Sequence, residues 1–215
     1  MTTQIQRVEV FRKAQRLTHW LVALGVVFQL VSAWLIQHAN VDVLAWADWH
    51  SMVGQALILP ILLRFYLMLL PGSGNWRYLL PTREQRHVVA NTLRFYASLG
   101  RLPCPDWYAF NPLWQPVYAV LWLILLATTV SGFVSATSPG AAGLHSTLAS
   151  IILGFTLAHV VFSVIHDVRG NGAQISAMLN GYKYFLPQQP PSGSAENSVS
   201  LASIVGRKPG GPPDD

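Results

Sequence analysis

Apolar and polar positions are sorted along this chain into blocks longer than a soluble fold uses. Four runs, Leu17 to Gln37, Ser51 to Leu70, Leu113 to Ala136 and Ser146 to Val168, are almost wholly apolar. Each reaches the roughly 20 residues that a helix needs to cross the hydrocarbon core of a bilayer. They predict four transmembrane helices, with residues 1–16 as a lead-in on the membrane surface and residues 17–186 as one transmembrane domain. Pro60 lies inside the second run and predicts a kink there.

The segments between the runs have their own patterns. From Thr82 to Leu99 the period is helical, with Val88, Val89, Leu93, Tyr96 and Leu99 toward one face, which predicts an interfacial helix. Asn111-Pro112 opens the third span, where proline costs nothing in the first turn. After the fourth span a short amphipathic segment closes at Asn180-Gly181. From Pro187 the chain carries too few large apolar residues to offset its ordering entropy, so residues 187–215 read as a disordered tail. The expected fold class is an all-α membrane protein, a four-transmembrane-helix bundle with one cytoplasmic interfacial helix.

Composition agrees, with 52% hydrophobic and only 11% charged residues. The net charge of +5 suggests nucleic acid at first sight, but the basic residues form no single patch. Arg7, Arg12, Lys13 and Arg16 precede the first run, Arg77, Arg83, Arg86, Arg94 and Arg101 lie between the second and third, and Arg169, Lys183, Arg207 and Lys208 follow the fourth. Loops 38–50 and 137–145 hold no Lys or Arg. The positive-inside rule then puts both termini and the middle segment in the cytoplasm. Nothing calls for a nucleic acid; the surroundings expected are membrane lipid. The first run lacks a small-residue cleavage site and reads as a retained helix. The single cysteine, Cys104, excludes an internal disulfide or thiolate cluster, and no CxxCH occurs, so any haem is held without thioether links, as b-type haem is.

Histidine placement points to such a haem. An ionisable side chain inside a bilayer is costly, which makes intramembrane histidines functional candidates. His145 and His159 are fourteen residues apart, so they return to nearly one helix face about 21 Å apart along the axis. His159 and His166 share a face at only about 10 Å, and His145 and His166 would be about 31 Å apart. Only the His145/His159 spacing suits two stacked macrocycles. Span order supplies partners: His19, at the cytoplasmic start of span one, with His159 for one haem iron, and His50, at the opening of span two, with His145 for the other. Gly25, Gly54, Gly132 and Gly154 would let a flat ring approach, although small residues also serve plain helix packing. Arg16 and Arg64 stand where guanidinium groups could meet haem propionates or simply snorkel. His38 and His87 read as solvent-facing, and the tryptophans at span ends as an aromatic belt.

RLTHW at 16–20, WHSMVG at 49–54, RFYASLGRLP running on to FNPLWQ at 94–115, the His145/His159 pair and ISAMLNGY at 175–182 resemble the di-haem cytochrome b subunit of membrane-bound nickel–iron hydrogenases. That subunit belongs to a wider bacterial family that includes the gamma subunit of respiratory formate dehydrogenase. The resemblance covers about residues 10–185 and implies two haems b, location in the bacterial inner membrane, an iron–sulfur partner subunit on the periplasmic face and quinone as substrate near the cytoplasmic haem. It also implies that Asn111 and Gln115 border the quinone pocket. Phe110 stands where hydrogenase relatives tend to have histidine, whereas His166-Asp167 could exchange quinone protons with the cytoplasm. The function expected is passage of electrons from a periplasmic iron–sulfur oxidoreductase, such as a hydrogenase, through two haems to quinone. The alternatives are a stand-alone di-haem oxidoreductase taking electrons from a small periplasmic reductant such as superoxide, and a haem-free anchor whose histidines relay protons.

Overall fold

The computed structural model describes residues 6–71, 74–80, 82–83, 85–98, 100–103, 105, 107, 110–169 and 174–185. The tail expected from Pro187 lies outside them, as do Cys104 and Leu99. Helices α1 (Lys13–His38), α2 (Val43–Ala56), α3 (Ile58–Leu69), α4 (Arg86–Ala97), α5 (Gln115–Val134), α6 (Pro139–Arg169) and α7 (Gln174–Asn180) follow in chain order. Four helical spans, Lys13–His38, Val43–Leu69, Gln115–Val134 and Pro139–Val168, are long and apolar enough to cross a membrane. Their side chains are exposed along much of their length, Leu157 at 61% for example, which is what lipid-facing helices require.

Two spans start earlier than the apolar runs suggest. Asp42 caps α2 by accepting the Ala45 N–H at 3.1 Å. The fourth span starts at Pro139, with Ser138 Oγ accepting the Ala141 N–H at 3.3 Å. Asp48 and the glycine-rich start of α6 interrupt the apolar pattern without interrupting the helix. His50 and His145 therefore sit roughly two turns inside their helices and not at the helix openings. Pro60 acts as expected, with the second span breaking between α2 and α3 at Leu57. Proline has no N–H for the Ala56 carbonyl and its ring crowds that group.

Close contacts join α1 to α2 and α3, α5 to α6, and α2 and α3 to α5. No comparably extensive contact joins α6 to α1, α2 or α3 among the described residues. The bundle is thus two packed pairs bridged by α5, with a wider backbone gap between α6 and the first two spans that side chains such as Ile152 cross. Val22, Leu57, Ile61, Leu125 and Ile152 form the buried core, which in lipid is held by close packing more than by exclusion of water.

The helix expected from Thr82 to Leu99 is shorter, running as α4 from Arg86 to Ala97. Thr92 and Phe95 are fully buried while Leu93 is 52% exposed; α4 meets the bundle through Thr92, Phe95 and the expected Tyr96, which touches Phe162 and His166, and not through Leu93. Two strands absent from the pattern-based reading, β1 (Gln6–Glu9) and β2 (Tyr182–Phe185), pair as a small sheet. Gly181 makes the turn into β2: at φ 92° it ends α7 by donating to the Ala177 carbonyl. A Cβ there would lie 2.8 Å from the Phe11 carbonyl oxygen. Val10 and Phe11 both donate to the Gly181 carbonyl, and Trp20 Nε1 donates to Met178 O at 3.0 Å, so the chain after α6 is tied back onto the start of α1.

Candidate functional site

Across the gap between α6 and the first two spans, four histidines meet in two pairs. His19 of α1 faces His159 of α6 with ring centres 6.3 Å apart and planes at 62°. His50 of α2 faces His145 of α6 at 6.2 Å and 77°. Two imidazoles that share one metal lie at about 2 Å per metal–nitrogen bond plus about 1 Å from each nitrogen to its ring centre, so their centres should be about 6 Å apart. Both pairs have that separation. Among the described residues no three His, Cys, Asp or Glu side chains converge as a metal site, so an iron at either pair would need its remaining ligands from a macrocycle. The residues present fit a haem held by two axial histidines.

The His50/His145 pair is oriented by hydrogen bonds. His145 Nδ1 is 2.9 Å from the Thr128 carbonyl, which can only accept, so Nδ1 carries the proton and Nε2 keeps its lone pair. His50 Nδ1 is 2.8 Å from Ser32 Oγ. That hydroxyl donates to the Gln29 carbonyl at 3.1 Å, and it therefore accepts from His50 and leaves the Nε2 lone pair free. Gln29 Nε2 also donates to the His50 carbonyl at 2.9 Å. Gly132 makes room for the His145 ring, from which an added Cβ would sit 3.1 Å. Gly25 and Gly54 instead make room for the side chains of Leu57 and Gln29, and open space lies beside Gly154.

The His19/His159 pair opens on a cavity of about 480 Å³, within the range of cofactor and ligand sites. Phe155 stacks on His159 at 5.6 Å and 13°, and Tyr118 meets it edge-on at 6.1 Å. Arg64 lines the same cavity. It is only 7% exposed, lies 5.6 Å from the Trp122 ring, and its Nε has no hydrogen-bond partner. A buried guanidinium in that state is a ready partner for a carboxylate such as a haem propionate. Arg16 donates to the Leu179 carbonyl and does not line the cavity, nor do His50 and His145.

The far end of this cavity is polar and aromatic, with Tyr96, Trp107, Asn111, Trp114 and His166. Tyr96 Oη is 2.7 Å from His166 Nε2 and accepts from Asn111 Nδ2 at 3.2 Å and Trp114 Nε1 at 3.0 Å. His166, 6% exposed, stacks on Phe95 and meets Trp107 edge-on. Asn111 Oδ1 also accepts the Leu113 N–H in the turn that precedes α5. Gln115 is buried one turn on, its Oε1 without a partner, but it does not line the cavity. Asp167 accepts the Ile175 N–H at 3.3 Å. His38 and His87 are exposed.

The profile of the prokaryotic cytochrome b561 family matches residues 10–181 of the chain. The chain belongs to the prokaryotic cytochrome b561 family. No curated protein and no solved structure matches it. Membership and the four spans make it a multi-pass membrane protein of the haem b electron-transfer class.

In this cytochrome b561 the residues that orient the site were harder to find than those that face each other. Tyr96 stood in the sequence as one apolar position of an amphipathic helix, and Trp114 as part of an aromatic belt; nothing local marks either as a hydrogen-bond partner. Ser32 gave no signal, because a serine on an apolar span ordinarily bonds its own helix. The Thr128 carbonyl carries no sequence information at all.

Proposed function

We propose that this cytochrome b561 is the membrane electron-transfer subunit of an oxidoreductase complex. His50 and His145 hold one haem b, and His19 and His159 hold a second. Electrons come from an iron–sulfur subunit on the periplasmic face, of the hydrogenase kind, and leave to quinone at the cytoplasmic end. When bound, each haem supplies a one-electron couple. The single observation that carries the reading is the repeated pair, at 6.3 Å and 6.2 Å and fourteen residues apart on one helix, across a gap that helix packing leaves open.

The chain's residues divide the remaining work. Ser32 and the Thr128 carbonyl set which nitrogen of His50 and His145 faces the iron. Arg64 offers the positive charge for a propionate at the other pair. Asn111 and His166 give the far end of the cavity the polarity a quinone headgroup needs, with Gln115 behind them. The basic residues gathered before α1, around α4 and after α6 support a cytoplasmic location for that end and for both termini, in the inner membrane of a bacterium.

A pyridine haemochrome assay on the purified protein is expected to find two haems b per chain, and one or none would overturn the two-site reading. Purification without detergent-stable loss of partners is expected to bring an iron–sulfur subunit along. Recovery of the chain alone, with quinone reduction driven by superoxide, would replace the subunit reading by that of a stand-alone oxidoreductase.

A further inference from the structure

The two histidine pairs stand in opposite electrostatic surroundings. At His50/His145 both Nδ1 atoms donate, one to Ser32 Oγ and the other to the Thr128 carbonyl. Each bond draws the ring proton toward its acceptor and leaves the opposite nitrogen richer in electrons, a better ligand for oxidised than for reduced iron. Gln29, one turn before Ser32, braces the arrangement by donating from Nε2 to the His50 carbonyl. Gly54 makes room for it, since an added Cβ would lie 2.5 Å from that nitrogen. The loops at this end of the spans carry Asp42 and Asp48 and no Lys or Arg.

At His19/His159 the sign is reversed. Among the described residues no hydrogen bond engages a ring nitrogen of either histidine, and Tyr118 and Phe155 pack against His159. The buried Arg64 guanidinium lines the same cavity, and its charge acts on His19. A positive charge in surroundings of low polarity favours the site that has gained an electron. A propionate paired with Arg64 would no longer oppose that electron, and the loops beside the other pair offer no such cation.

We propose that Ser32 and Arg64 set the order of the two haem potentials, so that an electron shared between the sites rests at His19/His159. The inference rests on the two-haem reading above. One electron leaves the His50/His145 site, which is oxidised, and arrives at the His19/His159 site, which is reduced; no bond is made or broken. The electron is thereby held beside the cavity, where an acceptor has room, and its return is disfavoured. Ser32 is a positioning residue that acts through His50, whereas Arg64 acts through space.

The test is a redox titration of the detergent-purified holoprotein, following the haem alpha band. Two one-electron steps are expected, with the electron favouring the upper site at least about tenfold, which is 59 mV for one electron. His145→Ala, which keeps only the His19/His159 site, should titrate at the upper step. Ser32→Ala is expected to raise the lower step alone and Arg64→Gln to lower the upper step alone, each cutting the preference about threefold or more. Ser32→Thr and Arg64→Lys keep the hydroxyl and the charge and should restore it. Steps that coincide, a His145→Ala protein that titrates at the lower step, or a Ser32→Ala shift in the upper step would overturn the proposal. Should Ser32→Ala lose its haem, His145→Ala and Arg64→Gln still decide the order. A chain with fewer than two haems removes the two-haem reading itself, whereas two haems in the reverse order remove only this assignment.

Discussion

The two histidine pairs share one ring separation and differ in almost everything around it. At His50/His145 both Nδ1 atoms are engaged, by Ser32 and by the Thr128 carbonyl, and Gly132 presses close behind one ring. At His19/His159 the neighbours are aromatic rings, a buried arginine and a cavity that runs on to Tyr96 and His166. One pair has its rings held in a fixed orientation. The other adjoins open volume, which the proposed quinone would need. The physical difference is that backbone and hydroxyl partners lock a tautomer, whereas rings and empty volume leave room for a substrate.

Substitutions at each pair can break that comparison. His145→Ala has the largest expected effect: haem content falls from two per chain to one, read by pyridine haemochrome, and loss of both haems would mean the pairs are not independent. Ser32→Ala removes the partner of His50 alone. Loss of a hydrogen bond behind a metal-binding histidine weakens binding by about 10- to 100-fold, so haem dissociation measured with apomyoglobin as acceptor should speed up for one haem only. Acceleration of both would show that the hydroxyl supports the bundle generally. Arg64→Gln should act on the other pair and more gently. Removing a positive charge favours the oxidised form, so the haem beside the cavity should titrate at a potential lower by some tens of millivolts, the scale of a charge acting through a partly buried path. An equal shift in both haems would place the Arg64 influence on the whole bundle and dissolve the distinction.

Much of the fold was legible along the chain. Four apolar runs became four spans because, in lipid, a backbone must satisfy its own hydrogen bonds and a helix does so within one segment. Pro60 broke the second span as its missing N–H requires. The misjudged boundaries were the ones set by capping: Asp42 and Ser138 start helices earlier than hydropathy alone indicates, since a cap acts on the backbone and leaves the apolar run unchanged. Leu93 of α4 was misplaced for a related reason. Thr92 and Phe95 are buried by what lies opposite them, and a helical wheel that ranks Leu93 above Thr92 has no knowledge of the neighbour.

Histidine spacing on α6 and the order of spans followed from the sequence, because helix rise and turn are constants of the backbone. So did the b-type character of any haem, from the lone cysteine. What only the tertiary structure decided is which contacts complete each site: that α6 stands off from the first two spans, that a serine eighteen positions from His50 and a carbonyl seventeen positions from His145 select the facing nitrogens, and that Tyr96, read along the chain as one more apolar residue, is the hydroxyl on which Asn111, Trp114 and His166 converge. Periodicity is local and survives in one dimension. Hydrogen-bond partners belong to different helices and exist only once those helices have packed.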